Sequence, residues 1–385
     1  MNLVYVSADN PHEWNSSEWR CAAPARAINR GSDAHADVVD VRAWLTGAAD
    51  ALCESADLII VQRVLLGPVL DAILHWKARG KTVLAEFDDA YDKMPDSNPA
   101  YAFWHKGWAR NPDGRVDVIE PTPITQFAWG LALCDAASMP SHLLAADWAH
   151  LVPTVVVPNW IDLDAYRRTD GRRDDRTDGP TDGRTDSPPV RRSIHPSVLR
   201  IGWGGSLSHL HSFTESGVLK ALERVCRARP QVCVVIHGAD GRIVDALRLQ
   251  EHQRLHRPWV PYTEWPAHLA EVDIGIAPLE GAYDQRRSWI KALEYLTLGI
   301  PWIASEGPVY ADLARFGTLV PNSALAWEHA LLDLIDHWPE RKALALQAAR
   351  EHAGRFSLDA RRDDLLDIYR HVLQTKTRTA AAAPA

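Results

Sequence analysis

Apolar residues fall along this chain in short solid runs separated by longer stretches of mixed character. Leu3 to Val6, Val38 to Val41, Leu58 to Val61 and Thr82 to Phe87 are such runs. A solid run of this length predicts a strand covered on both faces, as in a parallel sheet. Between them, Leu65 to Arg79 repeats its apolar positions at helical spacing, and Gly80 stops it. Thr125 to Leu133 also reads as a helix. A second series of runs begins further along, at Leu199 to Trp203, Val232 to Ile236, Val272 to Leu279, Pro301 to Ala304 and Thr318 to Val320. Helical spacing intervenes at Val218 to Ala228, after Ser288, at Tyr310 to Phe316 and at Ala324 to His337. Strand and helix alternate in both series, which predicts an α/β chain built on parallel sheet.

Residues 1–165 form the first predicted domain and 197–356 the second, followed by a helix at 357–376. The stretch between them, 166–196, is low in complexity and repeats Thr-Asp-Gly units among arginines. It has no apolar periodicity with which to bury a core, so it predicts a disordered linker. A calcium-binding Asp-Gly repeat is the sharper alternative, but its spacing here is irregular. The tail, 377–385, is alanine-rich and is also expected to be disordered.

Length and composition narrow the classes. The chain has 385 residues, enough for two ordinary domains, and 46% hydrophobic with 24% charged residues is the balance of a water-soluble globular protein. A net charge of -8 argues against general nucleic-acid binding. No run is long enough to span a membrane, and the first residues lack a basic leader. A cytoplasmic location follows, with peripheral contact at the inner face of a membrane left open. The five cysteines include no C-x-x-C pair, which fits a reducing compartment and no structural zinc.

The chemistry concentrates between Asp273 and Ser305. The stretch reads as strand, loop, helix, turn and strand, with Glu280 to Arg287 as the loop. Ser288 is the expected helix N-cap, Gly299 the left-handed stop, and Pro301 bars continuation. The helix therefore opens beyond the C-terminal end of a parallel strand, where open α/β sheets bind ligands. Its free N–H groups suit a phosphate. Arg286, Arg287 and Lys291 add positive charge. Glu294 lies three residues after Lys291, on about the same face, where a carboxylate can take both hydroxyls of a ribose.

Arg287-Ser288, Lys291, Glu294-Tyr295, Gly299, Pro301 and Ile303-Ala304-Ser305 together resemble the donor-site segment of GT-B glycosyltransferases, specifically the large retaining family often called group 4. The resemblance implies a GT-B fold with a cleft between two Rossmann-like domains and the terminal helix, 357–376, packing back on the first. It implies transfer of a sugar, of hexosyl type, from a nucleotide-sugar donor to a hydroxyl acceptor (a glycan, lipid-linked or otherwise) with retention at the anomeric carbon. Neither metal nor cofactor is expected, because the helix terminus and basic side chains neutralise the diphosphate. The resemblance gives Glu294 the ribose, with Ser288 and Ile290 beside it. A second glutamate common in the family is Arg286 here.

Other segments carry the same likeness. Trp203-Gly204-Gly205-Ser206, with His209, resembles the loop whose backbone approaches the donor diphosphate. Trp259 to Tyr262 reads as the short strand and turn beside the nucleobase, with Tyr262 or Trp265 for stacking. Val155 to Asp162 resembles the hinge. Arg20 and Arg26, in a P-A-R-A segment, fall on the acceptor side and are expected to face a phosphate. Asp88, Asp89 and Asp92 form D-D-x-x-D. This spacing also suits magnesium-pyrophosphate on a helix, or a metal-binding D-x-D, but after a strand it fits an acidic loop that orients an acceptor hydroxyl. No nucleophile is assignable; Asp88, Asp89 and His105 are the catalytic candidates. Asn98 to Asp113, aromatic and broken by Pro and Gly, is expected to be a mobile cover. The rival readings are a non-catalytic nucleotide- or glycan-binding module and a GT-B sugar-nucleotide epimerase.

Overall fold

The computed structural model describes residues 1–9, 16–167, 198–238 and 241–382. Most of the Thr-Asp-Gly stretch thus lies outside the described residues. The first domain holds β1 (Asn2–Ser7), β2 (His35–Asp40), β3 (Leu58–Gln62), β4 (Thr82–Glu86), a small hairpin of β5 (Trp108–Arg110) and β6 (Val116–Val118), then β7 (Ala136–Met139) and β8 (Thr154–Val156). Its main sheet is parallel in the order β2-β1-β3-β4-β7-β8. The second domain holds β9 (Leu199–Gly204), β10 (Val232–His237), β11 (Arg254–Arg257), β12 (Ile274–Ala277), β13 (Trp302–Ser305) and β14 (Thr318–Val320). This sheet is also parallel, in the order β11-β10-β9-β12-β13-β14. In each sheet the strand order reverses beside the first strand, and the crevice beyond the strands' C-terminal ends at that point is the ligand position of open α/β folds.

The solid runs are solid because both faces of each sheet are covered. Along β1, Val4 and Val6 join one buried cluster while Leu3 and Tyr5 join the other, the period-2 alternation of a strand. The second face of the first sheet is closed by the chain's last helix, Arg362–Ala382, through Leu365, Leu366, Tyr369 and Val372. The hydroxyls of Tyr5 and Tyr369 meet there at 3.0 Å. The backbone of this helix runs to Ala382, beyond residue 376, where the sequence reading ends it. The two crossings between domains run side by side: Ile161 N–H donates to Phe356 O, and Leu358 N–H to Ile161 O, both at 2.9 Å.

Several expected elements need correction. The strand in the segment expected to meet a nucleobase is Arg254–Arg257, not Trp259 to Tyr262. Pro258 and Pro261 bracket the latter stretch and remove two ladder donors. The loop 280–287 contains a short helix, Gly281–Asp284. Asn98 to Asp113 is anchored rather than a free cover. It contains the helix Tyr101–Lys106 and β5, and Trp104 is buried against Tyr91 with rings 3.9 Å apart.

Candidate active site

The helix Ile290–Thr297 carries the site, and its seat on the sheet fixes the geometry. Tyr295 lies flat across β12 because Gly275 offers no side chain; a Cβ there would meet the ring at 2.6 Å. The phenol donates to Gly202 O at 3.2 Å and Ile276 O at 3.0 Å. Gly299, at φ 59°, ends the helix in the left-handed region as expected. The start differs. Trp289 is the N-cap residue and makes no side-chain cap, while the Ser288 hydroxyl accepts from Asn159 Nδ2 at 2.9 Å. Ser288 stands one residue before the N-cap and meets the hinge instead of capping the helix.

The N-terminus of this helix opens into a cavity of about 470 Å³ between the domains. Gly204, Gly205, Ser206 and His209 line it from the end of β9, and Arg287, Ser288, Ile290, Lys291 and Glu294 from the helix side. The structure thus gathers most of the donor-site residues that the sequence singles out. The Lys291 ammonium donates to Gly204 O at 2.5 Å and lies 4.7 Å above the Trp203 ring. Burial pulls its pKa down to about 8, with Arg287 adding to the fall and Glu294 opposing it. Arg287 donates to Asp284 Oδ1 at 2.8 Å and to Ser208 Oγ at 3.0 Å. His209 is buried edge-on against Trp203, and burial followed by the Arg287 and Lys291 charges holds it well below the usual histidine range. It is therefore neutral near pH 7 and adds no charge to the site. Glu294 accepts from Tyr166 OH at 2.7 Å and Trp265 Nε1 at 2.5 Å, both on Oε1. Burial raises its pKa against those two hydrogen bonds and the Lys291 charge.

The glycine pair has a steric reason. A Cβ on Gly204 would stand 2.1 Å from the Trp265 ring, and one on Gly205 would stand 2.8 Å from Lys291 Nζ. Gly205→Ala is therefore expected to push the ammonium from its seat. Losing a charge-assisted contact of about 1.5–3 kcal/mol lowers affinity for a nucleoside diphosphate roughly tenfold or more. Titration calorimetry over a panel of nucleoside diphosphates reads this directly, and unchanged affinity would show that Lys291 does not reach the ligand.

The opposite wall comes from the first domain. Asp88 and Asp89 follow β4, and Arg63 follows β3. Asp88 is pushed up to about 6, first by burial and then by Asp89. Asp89 Oδ1 accepts from Tyr283 OH at 2.9 Å and lies 3.7 Å from Arg287, so it touches the second domain across the cleft. Arg63 holds φ 48°, a conformation that costs a non-glycine residue of order 1–3 kcal/mol. Its guanidinium donates to Asp9 at 3.1 Å. Sequence reading passed over Arg63 and Tyr283. The Gln62-Arg63 pair at a strand's C-terminal end was the available signal for the first; Tyr283 gave none.

Other candidates lie elsewhere. Arg20 is buried and spent on Glu86, Val157 O and Asn159. Arg26 pairs with Glu18 and Asp162. Neither lines the cavity, so neither meets the expectation of a phosphate-facing arginine. Arg286 points the other way from Arg287 and forms a two-point pair with Asp147 of the first domain. His105 binds Tyr91 O at 2.8 Å and stacks on Tyr101, away from the cavity. Tyr262 is covered by Trp19, with rings 5.6 Å apart and perpendicular; Trp259 and Trp265 take its place on the wall. Asp92 pairs with Lys93 and leaves the D-D-x-x-D set divided. Among the described residues no helix is long and apolar enough to cross a membrane.

Two parallel Rossmann-like sheets, facing each other across a cleft at their switch points and closed by a returning terminal helix, make up the GT-B fold of glycosyltransferases. The chain is similar to a sucrose-phosphate synthase from Thermosynechococcus elongatus at 12% identity, with 97% of this chain and 99% of that one covered and a TM-score of 0.59. It is similar to an E. coli trehalose-6-phosphate structure bound with UDP-2-fluoro glucose, at 11% identity, 97% and 99% coverage and a TM-score of 0.53. It is also similar to a Listeria monocytogenes protein assigned as a UDP-N-acetylglucosamine 2-epimerase, at 11% identity, 95% and 94% coverage and a TM-score of 0.52. No protein-family model matches the sequence, and no curated protein does. Likeness at such identities is likeness of fold.

Proposed function

We propose that this protein is a glycosyltransferase that moves a sugar from a nucleotide-sugar donor to a hydroxyl acceptor, with retention and without a metal. The observation that carries the reading is the convergence at one switch point of a side-chain-free backbone loop, a helix N-terminus, two cations and one buried carboxylate. Each part matches a part of the donor. Gly204 and Gly205 let backbone approach the diphosphate. The N–H groups ahead of Ile290 and the charges of Lys291 and Arg287 balance the negative charge that grows on the leaving phosphate. Glu294, held by Tyr166 and Trp265, presents its remaining oxygen to the ribose hydroxyls. The departing phosphate oxygen takes the acceptor's proton on the face it leaves, so no protein nucleophile is required. Of the catalytic candidates, Asp88 and Asp89 line the cavity, and we assign Asp88 to orient the acceptor hydroxyl because Asp89 is bound to Tyr283.

The test is a thermal-shift panel of nucleoside diphosphates and nucleotide sugars on the wild type and Glu294→Ala. A ligand at 100 times its dissociation constant stabilises by about 2.7 kcal/mol. One base is expected to raise the melting temperature of the wild type, and Glu294→Ala to lose most of that rise. A panel in which no nucleotide shifts the wild type would sink the donor-site reading.

A further inference from the structure

We propose that the first-domain half of the cleft receives an uncharged, hydroxyl-rich acceptor, a neutral saccharide or polyol, and turns away sugar phosphates. The inference rests on the glycosyltransferase reading and specifies its second substrate. Formal charge is divided between the two walls. The second-domain wall presents Arg287 and Lys291, which suit a diphosphate. Among the described residues, the first-domain wall presents Asp88 and Asp89 against one cation, Arg63. That guanidinium is already tied to Asp9 at 3.1 Å. Arg20, the other cation nearby, is buried behind the wall in its pair with Glu86. An anion placed here would face Asp88 and Asp89, while Arg63 is held by Asp9 and Arg287, 3.7 Å from Asp89, is held by Asp284, and like charges brought together cost binding.

The same wall is equipped for hydroxyls. Asn98 is 5% exposed, spends its Oδ1 on Ala100 N–H at 2.9 Å, and leaves Nδ2 with no hydrogen-bond partner. A buried amide without a partner is a cost that a ligand oxygen removes. Asp88 supplies the matching acceptor. Tyr91 and Trp104, stacked 3.9 Å apart and buried at 1% and 6% exposure, back this wall and hold the Asn98 segment in place. A donor amide beside an accepting carboxylate suits the paired hydroxyls of a polyol, and it is the carboxylates that disfavour a phosphate.

The experiment measures acceptor binding directly, by saturation-transfer NMR and calorimetry, with and without saturating UDP. Methyl glucoside and maltose are the neutral probes; glucose 6-phosphate and fructose 6-phosphate are the charged ones, chosen because two structural neighbours are named for sugar phosphates. Neutral probes are expected to bind at least about tenfold more tightly. Asn98→Leu should weaken them, and Asp88→Asn should narrow the gap by strengthening the phosphates. Melting curves of both variants verify that they fold. Equal or tighter binding of the sugar phosphates overturns the proposal. So does binding of UDP with no binding of any neutral probe, an outcome that leaves the donor reading intact. If no nucleoside diphosphate of the thermal-shift panel binds and all the sugars fail as well, both readings fall.

Discussion

Arg20→Ala is expected to destabilise the fold by about 3–5 kcal/mol, the cost of leaving a buried charge without its partner. Glu86 at the end of β4 is 2% exposed, and its Oε1 takes Arg20 Nε at 2.5 Å. The same guanidinium reaches Val157 O at 2.7 Å and Asn159 Oδ1 at 2.6 Å. Asn159 in turn holds Ser288 at the mouth of the donor helix. One substitution therefore breaks a chain of contacts from the first sheet through the hinge to the site.

The pH dependence of that loss has a definite sign. Burial outweighs the guanidinium and places Glu86 at about 7, above its usual value. A carboxyl raised in the folded state costs stability as pH climbs between its unfolded and folded values. Removing Arg20 raises it further. The deficit of Arg20→Ala should therefore be smaller at pH 5, where Glu86 is largely protonated in the native state, and grow towards pH 8. Urea unfolding at both pH values measures it. The double change Arg20→Met with Glu86→Leu should recover most of the loss, since apolar residues of similar volume replace a buried pair at little cost. A deficit that does not change with pH would mean that Glu86 does not titrate where its burial places it.

The same pair shows where the sequence stops informing. Arg20 follows Glu18 and Trp19 at the start of a helix, and nothing local says that a glutamate from a strand 66 positions away lies beneath it. Arg286 and Arg287 make the point more sharply. They are adjacent, yet Arg287 lines the cleft and Arg286 binds Asp147 on the facing domain. The short helix Gly281–Asp284 and the turn after it set which one faces the donor, and that turn is not encoded in a period of 3.6 or 2. What was legible had a local cause. Strands buried on both faces must be solid apolar runs, so most of their positions could be read to within a few residues. Gly299, Lys291 and Glu294 share one helix, so their relative placement follows from its pitch. The acceptor wall was legible only in part, at Asp88 and Asp89. It is assembled from the ends of β3 and β4 and from the Asn98 segment, and sheet order alone brings these together.

Lys291→Met is expected to lower turnover of the donor by 10²–10³-fold, the scale for removing one preorganised group from developing charge. Methionine keeps much of the packing on Trp203, so the loss reports charge rather than a collapsed wall. Arginine is not expected to restore the rate. The ammonium fits between Gly204 O and the Trp203 ring, where even a Cβ on Gly205 would crowd it at 2.8 Å, and a planar guanidinium is wider. In the unliganded protein the lysine titrates at about 8, so its charge is lost as pH rises through that value. kcat/KM, which reports groups of the free enzyme, should fall above about pH 8. A bound diphosphate favours the ammonium, so kcat should hold to higher pH than kcat/KM. Lys291→Met should remove this alkaline limb along with the rate. Release of nucleoside diphosphate, followed across pH 6.5 to about 9.5 for wild type and variant, measures both effects. If Lys291→Met turns over donor at the wild-type rate, the leaving-group charge is met by Arg287 and the helix terminus alone.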